Sequence, residues 1–600
     1  MRNFVLSNYE NNKPINQYFT QMNHFLRLSA GTLAAIALTA CVDDKYDLSD
    51  IDTTVQVEVN DLTLPVNIDP FTMSSIFDID ENDPDATVKV VDGIYAIVRS
   101  GEFSSSQIRI APITLNSHVS TSVSATINTN VSGNVPGGID LSIPLAIDEV
   151  SVSYASDNIP VEIVSIDRIG GDFRVDFILS FPELDGRLRR LSLRDLDIDF
   201  PKGLTGTISA GTYDPENGRV HIDRIDLTSP RLTLSLVCSA LDFKKIGGTF
   251  SASSHSASIA TKLEVKSGRL CFNTSDFTGN VPSAITFSAT GQLSDINVRT
   301  FSGTINYDID GVNISPVTLS DLPDVLRQKD TRINIINPQI YLNVSNPLSP
   351  YGLQAQTGFN ILSVFRDDNG TVTGTTEHAL DAPGYFTISK TANSNYCLSP
   401  LGPTNVPSGF NPATQVDFSS LSSVLEGNGL PSELDITLVS PKVANQKVSN
   451  LPIGSDLGIV SGRYEFVAPL SFGEGSQVIY TDTESGWNDE DVDAITIRSL
   501  SVSTTVTSQL PIDVNFTGYP IDVNGRRINN VSIEGAVVPA GCKDYPITIR
   551  ITGEVKHLDG IEFTATGVVP SNMTEPLNPQ LSLDCKDIRA TVSGYYNKEL

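Results

Sequence analysis

The thirteen residues Arg224-Ile225-Asp226-Leu227-Thr228-Ser229-Pro230-Arg231-Leu232-Thr233-Leu234-Ser235-Leu236 decide the fold class. Behind Pro230 an apolar side chain stands at every second position, which is the period of a strand with one buried face. The pattern returns as Arg332-Ile333-Asn334-Ile335-Ile336-Asn337-Pro338-Gln339-Ile340-Tyr341-Leu342-Asn343-Val344, with weaker copies around Pro441 and Pro579. These prolines are 108, 103 and 138 residues apart, about one β-sandwich each. Proline has no N–H to give a ladder, so each marks an edge strand or a kink where the chain passes between sheets.

Working outward, Ser120–Val131 alternates in the same way, and Asp92-Gly93, Asp310-Gly311, Asn369-Gly370 and Asn524-Gly525 supply hairpin corners. No long stretch sustains a helical period. A second repeat runs through Pro70–Ile76, Pro316–Leu322 and Gln415–Leu421, each with a Ser at its fifth position. In the latter two, Val325 and Leu326, and Val424 and Leu425, continue the apolar set. That spacing predicts short helical turns capped by Ser320 and Ser419 that plug the open end of a sandwich or offer an apolar face to a partner. A third echo links Ser151-Val152-Ser153 and Ile159–Ile163 with Ser501-Val502-Ser503 and Leu510–Val514. The expected fold is all-β: tandem β-sandwich-like units with a few short capping helices. The chain divides into a signal region (1–40), an acidic tether (41–60) and β units at 61–220, 221–314, 315–411 and 412–600, the last open to further division.

Six hundred residues suit about three to five domains. Charged residues make up 18%, below the roughly 25% usual for globular chains. Forty basic against seventy acidic residues give a net charge of −30, which excludes nucleic acid or an anionic membrane surface as the main partner. One Trp, four Met and six His leave little for aromatic clamps or histidine metal cages.

The N-terminal region reads as an address. His24 and Arg27 precede an apolar run, Leu28–Ala40, long enough for a signal core and short of the roughly twenty residues that cross a membrane. It ends in Leu38-Thr39-Ala40-Cys41, which resembles a bacterial lipobox. That resemblance implies a mature chain that begins at Cys41 and carries acyl chains there, more than one being needed for stable anchoring. Residues 1–21 lack an apolar run, so translation is expected to start at Met22. Losing residues 1–40 removes Arg2, Lys13, Arg27 and Glu10 and leaves the remainder more acidic still. Asp43 and Asp44 behind the cysteine resemble the export signal of Bacteroidota-type surface lipoproteins, and imply transfer to the outer leaflet of the outer membrane.

No local motif for acyl transfer, phosphate cradling, dinucleotide binding or zinc proteolysis occurs. The histidines stand singly and are expected on exposed strands or loops, and neither a metal nor another cofactor is expected. Asp78, Asp80, Glu81, Asp83 and Asp85 approach a calcium loop, yet Asp83 and Lys89 occupy the positions that need Gly and Glu, so a solvated loop is preferred. The loop of Trp487, Asp489 and Asp491 offers a ring for sugar stacking beside carboxylate acceptors; the alternative is a Trp that pins the loop to the core. Of the cysteines after Cys41, strand phase turns Cys238 and Cys585 inward and Cys271 outward. This disfavours a 238–271 bridge and leaves 542–585 open.

Lys45–Thr54, Leu64-Pro65-Val66 and Ile94–Phe103 resemble large uncharacterised β-rich lipoproteins of the Bacteroidota type. Asn337–Pro347 is similar in texture to the strands of water-stress, late-embryogenesis-type β-sandwich domains, and implies a sandwich only. Together these readings give a non-enzymatic, lipid-anchored outer-membrane protein, exposed at the cell surface, with a binding or structural role toward a glycan or another surface protein. The alternatives are a glycan-binding lipoprotein of a nutrient-uptake system and a lipid-carrying β fold.

Overall fold

A computed structural model of the chain describes residues 54–64, 71–77, 79, 83, 85–119, 122–131, 138–319, 322–327, 330–367, 369–573 and 575–599. The signal region, Cys41, the lipobox residues Leu38, Thr39 and Ala40, and the acidic pair Asp43 and Asp44 lie outside the described residues.

The period-two runs fold as read, and the body is all-β. Arg231–Asp242 is a strand whose Leu232, Leu234, Leu236 and Cys238 are buried while Arg231, Thr233 and Val237 are exposed. It belongs to an eleven-stranded sheet, whereas Arg219–Leu227, just ahead of Pro230, belongs to a nine-stranded one. Pro338 repeats the device: Arg332–Asn334 lies in a six-stranded sheet and Gln339–Ser345 in a seven-stranded one. Both prolines therefore sit where the chain changes layer. Pro441 instead falls inside the long strand Glu433–Pro452, at a register shift against Ala355–Arg366.

Layers stack through their apolar faces. Tyr154 of the nine-stranded sheet meets Phe173 of the eleven-stranded sheet edge-on at 6.2 Å. At the other end of the large sheet, Phe386 packs on Tyr396 of the seven-stranded sheet at 5.2 Å. One long sheet thus serves two sandwiches. A third sandwich joins the sheet of Thr54–Leu64, Ser582–Glu599, Ile495–Ser508 and Tyr545–Val555 to the sheet of Gln477–Ser485, Leu558–Val568 and Asp513–Asp522. Phe71 bridges its layers, 5.9 Å from Tyr480 and 6.4 Å from Phe516.

Strand pairing crosses every boundary read from the repeats. Ile163–Ser180 pairs with Thr300–Asp308, which pairs with Glu433–Pro452; Ile94–Ser104 pairs with Ser461–Pro469. Arg219–Leu227 itself straddles residue 220. The repeats mark recurring strand-and-crossing devices, and the sheets are assembled from strands far apart in sequence. The tether needs correction too. Thr54–Asn60 belong to the strand Thr54–Leu64, held antiparallel along the C-terminal strand from Thr54 opposite Glu599 to Leu64 opposite Ala590.

The capping turns are present at Met73–Phe77, Asp324–Arg327 and Ser419–Ser423. Met73, Phe77, Leu322, Val325, Leu326, Leu421, Val424 and Leu425 are all buried, so these faces plug the fold. The caps differ from the sequence reading: Ser419 is the first residue of its turn, with Phe418 ahead of it and no side-chain cap bond, and Ser320 lies outside the described residues, whereas in the first turn Thr72 Oγ1 accepts the Ser75 N–H at 3.1 Å.

Candidate functional site

Trp487 does not present a stacking face. The strand Gln477–Ser485 ends at Gly486, whose φ of +92° turns the chain inward, and the indole is 5% exposed in the core. Its backbone N–H donates to the Asp559 carbonyl at 2.7 Å. Asp489 caps the turn Glu490–Asp493 by accepting the Val492 N–H at 2.8 Å. The side chain of Asp491 lies outside the described residues. Asp493, not singled out by the sequence, accepts from His557 Nδ1 at 2.7 Å and from Asn488 Nδ2 at 3.1 Å; His557, then Asn488, hold its carboxyl below the usual range. The loop is pinned to the body, and the sugar-stacking reading of Trp487, Asp489 and Asp491 is corrected: a ring closed on both faces cannot lie on a sugar.

Of the acidic loop before Val88, Asp83 accepts the Asp85 N–H at 2.9 Å and closes its own turn. Among the described residues no group of three His, Cys, Asp or Glu side chains is placed to hold a metal ion. The expectation of exposed histidines fails at His378, which is buried with Nε2 3.1 Å from the Ser363 hydroxyl and Nδ1 3.2 Å from that of Ser423; burial pushes its pKa down. The five described cysteines are free. Cys238 is buried and its thiol is pushed up to about 12, while Cys271 faces outward as its phase requires.

An apolar cleft opens in the terminal sandwich. The space left between Phe71, Phe77, Leu326, Tyr480, Phe516 and their neighbours is about 70 Å3. Two of the plugging turns form its end wall.

A polar groove lies elsewhere, on the outward face of the nine-stranded sheet. Residues directly opposite in a ladder share a face. Arg194 stands opposite Arg224 on one side and Arg269 on the other, so three arginines line up across three strands. The next row is Asp226, Ser192, Cys271 and Ser142. Beyond it Asn273 pairs with Asp140, and Arg190 stands two residues ahead of Ser192 on the same strand phase. The groove holds about 440 Å3, and Asp195 and Asp276 also line it.

Within this row Arg224 Nε reaches Asp226 at 3.0 Å, and the Ser192 hydroxyl donates to the same carboxylate at 2.5 Å. Ser192, then Arg224, hold Asp226 below the ordinary carboxylate range. Arg269 Nε donates to Ser142 Oγ at 2.8 Å, and Arg194 has no ion-pair partner among the described residues. At the other end of the face every cation is matched. Arg219 meets Asp199 at 3.0 Å, Lys266 meets Glu264 at 2.7 Å, Lys262 pairs with Glu149, and His221 bridges Asp197 and Asp223. Hydrogen bonds to Asp197, then Asp223, raise the pKa of His221.

No protein-family model matches the chain, and no curated protein matches it. Among solved structures, a crystal structure described as "a putative secreted protein from Parabacteroides distasonis ATCC 8503" is 17% identical, with a TM-score of 0.35. The alignment covers 49% of this chain and 90% of that one. An atomic structure of Broad Bean Stain Virus is 12% identical with a TM-score of 0.12, over 47% of this chain and 85% of that one.

Proposed function

We propose that the chain is a lipid-anchored outer-membrane protein displayed at the cell surface, with a non-enzymatic binding or structural role. One observation carries this: the apolar run Leu28–Ala40 closing on Leu38-Thr39-Ala40-Cys41. The fold is compatible with that anchor. The first described strand begins at Thr54, so twelve residues separate it from Cys41, a reach of at most about 40 Å at ~3.3–3.6 Å per residue. With a net charge of −30 the body is repelled by anionic lipid, and the acyl chains supply the attachment. Metabolic labelling with a palmitate analogue tests the proposal. Label should enter the wild-type chain and be absent from Cys41→Ala, and protease added to intact cells should digest the body. Persistence of label in Cys41→Ala refutes the anchor, and protection of the body until the outer membrane is opened refutes surface display.

A further inference from the structure

We propose that the arginine groove on the nine-stranded sheet binds an acidic glycan, a sugar chain carrying uronate or sulfate groups. This deepens the surface-binding reading in its choice of ligand, while the site itself is defined by strand register alone.

The first argument is the contrast within one sheet face. Like charges directly opposite in a ladder cost stability. The end built from Arg219, His221, Lys262 and Lys266 avoids that cost by facing each cation with carboxylates. The other end places Arg194 and Arg269 side by side without a carboxylate partner among the described residues, beside Arg224, which pairs with Asp226, in a chain with seventy acidic residues to choose from. Neighbouring strands are about 4.8 Å apart, so the three stems span roughly 10 Å. Guanidinium groups present planar forks that match carboxylate and sulfate oxygens two at a time.

The second argument is what surrounds the row. Asp140, Asp195, Asp276, Asn273 and Ser142 line the same groove. Carboxylates and amides accept hydroxyl protons but repel an evenly charged polyanion. A ligand that alternates oxyanions with hydroxyls satisfies both sets, which a phosphate-studded nucleic acid strand does not. Phe272 is buried on the inner face, so recognition here proceeds without ring stacking. Binding made of exposed charged contacts weakens with salt.

The full-length protein in mild detergent is run through native gels containing dextran sulfate, polygalacturonate or neutral dextran. Retardation by at least one acidic polymer and not by dextran is expected. Arg194→Ala/Arg269→Ala should weaken it at least fivefold, Arg194→Lys/Arg269→Lys should lose part of it, and Lys262→Ala should leave it unchanged. The alanine pair should melt at the wild-type temperature or above, because removing facing like charges does not unfold a sheet. No retardation by either acidic polymer, equal retardation by dextran or by single-stranded DNA, or undiminished retardation of both arginine variants overturns the site. The Cys41→Ser protein should be retarded like wild type, so loss of the anchor and loss of glycan binding are separate results.

Discussion

The apolar cleft of the terminal sandwich and the arginine groove of the nine-stranded sheet are both framed by paired strands, yet they form by different routes. The cleft gathers side chains from turns and strands between residues 71 and 583, and each contributes because it is apolar and inward-facing. The groove gathers Arg190, Arg194 and Arg269, with Arg224 opposite Arg194 at its edge, and none of them is distinguished by its own neighbours. Hydrophobic burial is proportional to area and tolerant of register, whereas a row of charges exists only if the ladders are aligned to the residue. Stability and recognition are thereby assigned to separate parts of the molecule.

That separation is broken most readily from the cleft side. Leu326 is fully buried on a plugging turn, and Leu326→Ala should lose about 2–5 kcal/mol of unfolding free energy in urea titration. A loss below ~1 kcal/mol would mean the turn is a detachable lid.

The two histidines sharpen the comparison through pH, with opposite signs. Burial depresses His378, so its neutral form contributes stability that is present above the ordinary value of about 6.5 and is lost as pH falls below it. Asp197 and Asp223 raise His221, so its imidazolium contributes stability that is complete below about 6.5 and is lost as pH rises through the folded value. Histidine NMR should place the His221 midpoint above 6.5 and that of His378 below it; the reverse order would contradict the burial and pairing described.

Thiol reactivity separates surface from core in the same way. Cys271 in the groove should react with a disulfide reagent in the native protein, while Cys238, with its thiol pushed up to about 12, should react only on unfolding. Equal rates would contradict the burial of Cys238 on the inner face of its strand. The smallest effect belongs to the groove: Arg194→Ala should change stability by no more than about 0.5 kcal/mol by thermal melting, in the stabilising direction.

Much of the fold was legible. Leu232, Leu234 and Leu236 announced their strand, and Pro230 and Pro338 announced changes of layer, because period and missing donors are local properties. The order of strands was not, since pairing partners such as Ile94–Ser104 and Ser461–Pro469 lie hundreds of residues apart. Trp487 was readable as either pin or platform, and only the inward turn at Gly486 decides between them. The arginine row escaped because net charge hides a local cluster. A signal was present all the same: Arg190 and Arg194 share one strand phase, opposite to Leu191 and Leu193, and Arg224 heads the run that fixed the fold class.

The proposal as a whole turns on the first residue of the finished protein. Intact-mass and N-terminal peptide analysis of the chain isolated from membranes measures it directly. The account predicts a terminus at Cys41 bearing acyl chains; an unacylated chain that still contains Leu28–Ala40 would contradict it.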